Sequence, residues 1–137
     1  MPTQLILSPA LWSQIINHLT AHYPQEACGF LAGTPHGHIQ RHYPIPNIAP
    51  TPTTHYQMSP PHQIKAWYAI HTAQLTPLAI YHSHPHSPPI PSPTDITHWT
   101  FPQLAQIIIS LAPPAPPQAQ AYHYHPTKPL HIPLSLL

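Results

Sequence analysis

Two histidines, His82 and His84, close an apolar run from Leu78 to Tyr81 that reads as a short buried strand. Residues i and i+2 of a strand point to the same face, so both imidazoles face one way. Seven residues separate His84 from Ser92-Pro93-Thr94-Asp95, which has the form of a helix start: Ser at the N-cap, Pro at the first helical position, Asp in the first turn. Two imidazoles and a carboxylate converging from a strand end and a helix start make a three-ligand metal site. Three protein ligands plus a water is the arrangement of catalytic zinc, whereas structural zinc is usually closed by four. A His-x-His pair alone says little in a chain with 15 His. The pairs His36/His38, His84/His86 and His123/His125 read as surface, and only His82/His84 follows an apolar strand.

Carboxylates are scarce. The 137 residues hold two acidic side chains, Glu26 and Asp95, so chemistry that needs a carboxylate must use one of them. Glu26 stands in Tyr-Pro-Gln-Glu-Ala-Cys-Gly-Phe-Leu-Ala-Gly, where an apolar strand follows at once. Ser92-x-x-Asp95 is also a plain capping box, and one residue can both cap and ligate. Cys28 reads as a small buried strand residue rather than a nucleophile, because Cys is among the most buried types. Trp12, Trp67 and Trp99 read as core or near-core.

The elements that must position these residues follow from turn and cap signals. Gln4 to Ser8 is a short strand. Ser8-Pro9 opens a helix over 9–22 with Leu11, Ile15, Ile16 and Leu19 on one face, and Pro24 stops it. Strands are predicted at 27–32 and 38–45, then a polar, Pro-rich loop through Thr54, and a further short strand at 55–58. Ser59-Pro60 repeats the cap signal before a helix over about 60–74 with Ile64, Trp67, Tyr68 and His71 on one face. The strand 78–84 and a helix over 92–100 come next. Strands are expected at 105–111 and, as an outer strand, at 119–125, with the tail from Leu130 as an edge strand. Pro113 to Pro117 is a stiff connection. The pattern is one α/β domain spanning 1–137, with helices flanking a mixed β-sheet.

Composition excludes several classes. Charged residues make up 4% of the chain, against roughly a quarter ordinarily. Apolar content is 42%, which is ordinary for a globular chain and does not argue disorder. Three basic residues, Arg41, Lys65 and Lys128, leave no electrostatic footprint for nucleic acid. The apolar runs are too short to span a bilayer, and no signal-peptide pattern opens the chain. With one Cys there is neither an internal disulfide nor a Cys-based zinc knuckle, and the compartment reads as cytoplasmic.

Glu26, then His82-Ser83-His84, seven residues, Ser92, two residues and Asp95 together resemble the JAMM (MPN-plus) zinc metallopeptidase signature in full. Glu-Ala-Cys-Gly-Phe-Leu-Ala-Gly at 26–33 and Tyr-His-Ser-His-Pro at 81–85 resemble the family's contexts, and the similarity runs from the first helix to about residue 125. The resemblance implies the MPN (JAMM, cytidine-deaminase-like) fold and one Zn2+ per chain held by His82, His84 and Asp95. It implies Glu26 as the base that takes the proton of the attacking water, and Ser92 as the hydrogen-bond donor to the developing oxyanion. Within the family the chain is most similar to small stand-alone prokaryotic members. Some of these resemble hydrolases that free cysteine from the C-terminal tail of a ubiquitin-like sulfur-carrier protein. That carrier, or its conjugate, is the implied partner, and a homodimer is left open. Other readings are a general isopeptidase of deubiquitinase or phage-tail type, a non-catalytic MPN scaffold, and a His-rich metal buffer. The scaffold usually lacks a ligand or the Glu, and both are present here. The buffer predicts several zinc ions of similar affinity.

Overall fold

In the computed structural model, which describes residues 2–137, the first helix shows how the sequence builds the fold. α1 (Pro9–His22) starts where Ser8 accepts a hydrogen bond from the Leu11 amide at 3.1 Å, with Pro9 at the first helical position. Its buried residues Leu11, Ile15 and Leu19 recur every four positions and form one stripe. That stripe packs on a sheet of eight strands, numbered in chain order: β1 (Leu5–Leu7), β2 (Cys28–Gly33), β3 (His38–Ile45), β4 (Thr76–His84), β5 (Ala105–Ser110), β6 (Gln118–Tyr124), β7 (Pro129–Ile132) and β8 (Leu134–Leu136). The remaining helices are α2 (Pro60–Thr72) and α3 (Pro93–Thr97).

The strand order is β7-β6-β5-β4-β2-β3-β1-β8. β4–β5, β1–β3 and β1–β8 are parallel and the other pairs antiparallel, so the sheet is mixed as expected. Side-chain alternation sorts it into two cores. Leu31, Tyr81, Ile107 and Ile109 face α1, whereas Phe30, Ala32 and Ile80 face α2. A Cβ on Gly29 would run into the Tyr43 carbonyl of β3 and sit 2.7 Å from the Tyr81 ring, so glycine makes room there for both the β3 backbone and that ring. The last two strands lie at opposite edges of the sheet yet are separated by one residue, Pro133. At about 3.8 Å per Cα step, the two edges are drawn to within about 8 Å, so the sheet is rolled nearly closed.

Several predicted elements differ. Residues 55–58 form no strand but one bridge, Asn47 to Met58, because the Pro-rich segment on either side gives no partner for more. α2 buries Ala66 and Ile70, while Ile64 and Tyr68 are 70% and 74% exposed and Trp67 is 38% exposed. The face read from the large residues is the outer one, because the small Ala66 lets the helix approach the sheet. Trp12 and Trp99 are half-buried as expected. α3 ends at Thr97 rather than 100, since His98, Trp99 and Thr100 are weak helix formers ahead of Pro102. β6 is not an outer strand, because β7 covers it, and His123 is accordingly buried, whereas His36, His38, His86 and His125 are exposed.

Candidate active site

β4 carries His82 and His84 at its C-terminal end on the α2 side, the face of Ile80. β2 pairs with it antiparallel on one flank and β5 parallel on the other, so His82 is fully buried. α3 begins beside them. Ser92 Oγ accepts the Asp95 amide at 3.0 Å, and Asp95 Oδ2 accepts the Ser92 amide at 2.9 Å. This reciprocal capping box fixes the Asp95 carboxylate toward the strand.

The three predicted ligands meet. His82 Nε2 lies 3.1 Å from His84 Nε2 and 3.3 Å from Asp95 Oδ1, and His84 Nε2 lies 3.0 Å from Asp95 Oδ2. His84 donates Nδ1–H to the Pro88 carbonyl at 2.8 Å, which leaves Nε2 with its lone pair toward the centre. Tetrahedral zinc with bonds of about 2.0–2.1 Å separates its ligand atoms by about 3.3–3.4 Å, close to these distances. Two imidazoles and a carboxylate are also zinc's usual donors, so the residues fit a metal ion. Among the described residues no other set of three His, Cys, Asp or Glu comes this close.

Electrostatics agree with that arrangement. Burial alone would raise the Asp95 pKa, but the two imidazoles beside it and the Ser92 amide outweigh burial and hold the carboxyl well below its usual range. Burial lowers His82, which favours the neutral, ligating form. For His84 burial works the same way, but the Asp95 carboxylate prevails and raises it.

Glu26 stands two residues before the start of β2. Its backbone is tied on both sides, by Glu26 N–H to the Pro52 carbonyl at 2.7 Å and by the Asn47 amide to the Glu26 carbonyl at 2.8 Å. The neighbouring Ala27 is clamped to β4 by two bonds of 3.0 Å, Ala27 N–H to Ser83 Oγ and Ser83 N–H to the Ala27 carbonyl. The carboxyl is buried, its Oε1 has no protein partner, and burial pushes its pKa up to about 7, aided by Asp95 and opposed by His84. It can therefore take and return a proton near neutral pH.

All five predicted residues thus lie at one place: Glu26, His82, His84, Ser92 and Asp95. His86 does not join them. It is exposed and faces Tyr23. The Cys28 thiol is buried and its pKa is pushed up to about 12 by burial and by Glu26, so it is inert. Sequence reasoning passed over Ser83 and Tyr56, whose ring stacks on His82. A lone serine between two histidines is a weak signal for Ser83, and nothing local marks Tyr56. Beside Asp95 opens a cleft of about 670 Å³ between the 49–58 segment and the residues after α3, lined by Tyr56, Met58, Ile80, Trp99 and Phe101.

Comparison with known proteins gives the same outline. Residues 8–124 match the family described as prokaryotic homologs of the JAB domain. A CysO-cysteine peptidase of Mycobacterium tuberculosis is 33% identical over 120 residues, 86% of this chain and 81% of that one. A probable TtuB-protein conjugate cleaving protease of Thermus thermophilus is 41% identical over 87 residues, 62% of this chain and 57% of that one. A solution structure from Desulfitobacterium hafniense superposes with TM-score 0.87 at 28% identity, covering 97% of this chain and 92% of that one. A JAB1/MPN domain protein of Archaeoglobus fulgidus shares the fold, with TM-score 0.62 at 16% identity over 96% and 99% of the two chains. Similarity of this extent carries family membership with it: the chain belongs to the prokaryotic JAB/MPN peptidase family.

Proposed function

We propose that this chain is a zinc-dependent peptidase that hydrolyses the amide bond at the C-terminal tail of a ubiquitin-like sulfur-carrier protein and frees cysteine. The observation that carries the reading is the convergence of three donor atoms within 4.8 Å beside a buried carboxylate, Glu26, that is not one of them. His82, His84 and Asp95 hold the metal. When bound, zinc supplies a Lewis acid that acidifies a water toward a pKa of about 7 and polarises the scissile carbonyl. Glu26, with Oε1 unengaged by the protein, accepts the proton of the attacking water and returns it to the leaving amine. Ser92 Oγ accepts from the Asp95 amide, so its own O–H is free to donate to the carbonyl oxygen as charge develops there. Such a donor is worth about 3 kcal/mol in the transition state. All of these groups come from one chain.

The cleft beside Asp95 supports a flexible, uncharged tail as substrate. Its walls mix aromatic and aliphatic side chains with polar ones such as Thr51, Gln57 and Gln63, it has no Lys or Arg, and Asp95 is its one acidic side chain. Kinship to the mycobacterial CysO-cysteine peptidase supports cysteine as the leaving group. The name of the Thermus relative favours a second reading, cleavage of a carrier from a protein conjugate. Incubating zinc-loaded protein with a sulfur-carrier–cysteine conjugate, and tracking the carrier's mass, decides between them. The expected result is loss of one cysteine, stopped by a zinc chelator. An intact cysteine conjugate together with cleavage of an isopeptide-linked pair establishes the second reading instead.

A further inference from the structure

The two imidazoles of the site are steadied in different ways. His84 is fixed in tautomer and plane by its Nδ1–H bond to the Pro88 carbonyl. His82 is fully buried, and no protein group among the described residues offers its Nδ1 a hydrogen bond. A ligating imidazole is ordinarily oriented by such a bond, and its loss weakens metal binding. What lies against His82 is a ring. Tyr56 stacks on it with centroids 4.4 Å apart and 25° between planes.

Tyr56 is itself held by its backbone and by core packing. Its backbone belongs to the segment before α2, which Asn47 ties down. The Asn47 amide donates to the Glu26 and His55 carbonyls at 2.8 and 3.0 Å, and Oδ1 accepts the Ala49 and Gln57 amides at 3.0 Å each. The Ile48 amide adds a bond to the Gln57 carbonyl at 2.9 Å. The ring itself packs against the buried core cluster that includes Phe30, Ile80 and Leu104. A ring fixed by its backbone and packed on the core leaves its stacked neighbour little rotational freedom.

We propose that Tyr56 is a positioning residue for the metal site. Its face replaces the missing hydrogen bond of His82 and keeps that imidazole in the plane where Nε2 meets His84 and Asp95. The same Asn47 links Tyr56's segment to the backbone of Glu26, so the base and the stacked ligand share one support. The proposal rests on the zinc-peptidase reading and adds a residue to it. Without the ring, His82 turns about its side-chain bonds, and ordering it falls on the binding of the metal.

The test compares Tyr56→Phe, which keeps the ring and removes the hydroxyl, with Tyr56→Leu, which removes the ring. Zinc affinity is measured by competition with a chelator, and the melting temperature of the zinc-free protein is recorded alongside. Tyr56→Leu is expected to bind zinc about 10- to 100-fold more weakly, the usual effect of losing an outer support of a ligand, with Tyr56→Phe within about threefold of wild type. A purely structural role for Tyr56 would lower the zinc-free melting temperature and leave the affinity of the folded protein alone. A Leu variant with wild-type affinity overturns the proposal. If that variant does not fold, proton NMR of the wild type decides. The Tyr56 ring current must shift the carbon-bound protons of His82 upfield in both zinc-free and zinc-loaded protein, and unshifted protons overturn the proposal. Absence of tight zinc from the wild type removes the zinc reading itself, and this inference with it.

Discussion

At the scale of single residues, the site divides into groups that hold and a group that moves a proton. Asp95 lies within 3.3 Å of both imidazoles and accepts the Ser92 amide, so Asp95→Ala removes one of the proposed ligands and leaves two histidines facing each other. Tight zinc is expected to be lost in that variant and in His84→Ala but retained in His86→Ala, by elemental analysis after weakly held metal is washed off. Loss of zinc in His86→Ala alone would move the ligand set by two residues. Glu26→Gln keeps size and burial but cannot accept a proton. The expected protein is folded and zinc-loaded, with turnover down by roughly 10² to 10⁴. Near-normal turnover would place the base elsewhere, although the chain has no other acidic side chain than Asp95 to serve. His82, His84, Ser92 and Asp95 are legible in the sequence through strand end, cap and spacing, whereas Glu26 alone reads as a loop carboxylate and stands out only through the family signature and the scarcity of acids. Tyr56 and Ser83 are not legible there, since each matters only through a neighbour brought to it by the fold: His82 for one, the Ala27 backbone for the other.

Among the elements, α1 acts on the site through the back of the sheet. Tyr81, next to His82 in the chain and on the opposite face, meets His18 Nδ1 with its hydroxyl at 2.9 Å. His18 also faces His22 and His42, and its pKa falls from the ordinary 6.5 to about 4, by burial first and then by the charges of those two. The unfolded chain therefore binds more protons than the folded one between about pH 6.5 and 4. Stability from the neutral His18 is full above that window and is lost as pH falls through it. Between pH 7.5 and 4.5 the melting temperature should drop less in His18→Gln than in wild type, with the other groups common to both. An equal drop would assign the acid sensitivity to other histidines. Strong caps make α1 readable, whereas α2 misleads because Ile64 and Tyr68 face outward while Ala66 and Ile70 face the sheet, with Trp67 at the border against Phe30. Size and periodicity name a stripe but not which stripe the sheet accepts. The length of α3 is hard to read for a similar reason, since its capping box is strong while His98, Trp99 and Thr100 behind it are weak helix formers.

For the molecule as a whole, the distribution of charge is unusual. Both carboxylate side chains lie in the site and are buried, so the outer surface carries no acidic side chain. Its many histidines are dispersed, and among the described residues only one group converges on a point. Metal titration should accordingly give about one tightly bound zinc per chain, with any further binding weaker and abolished by mild chelator. Several sites of equal affinity would favour the metal-buffer reading. The mixed sheet with flanking helices is legible from the order of strand and helix signals. The rolling of the sheet is not, because it depends on where the last residues pair, and edge pairing leaves no periodic trace in the sequence.

That rolling gives residues 129–136 an influence out of proportion to their number. One short segment finishes the sheet at β6 and, after Pro133, finishes it again at β1, where the Pro133 carbonyl accepts the Leu5 amide at 2.9 Å. It works as a clasp. Unfastening it bares two hydrogen-bonding seams on one molecule, and two seams per molecule allow chains of any length, whereas one would stop at a pair. A protein shortened to end at Lys128 should therefore polymerise as its concentration rises, by light scattering, while the zinc site at the C-terminal end of β4 stays filled. A shortened protein that remains monomeric at high concentration would show that the sheet closes without its clasp.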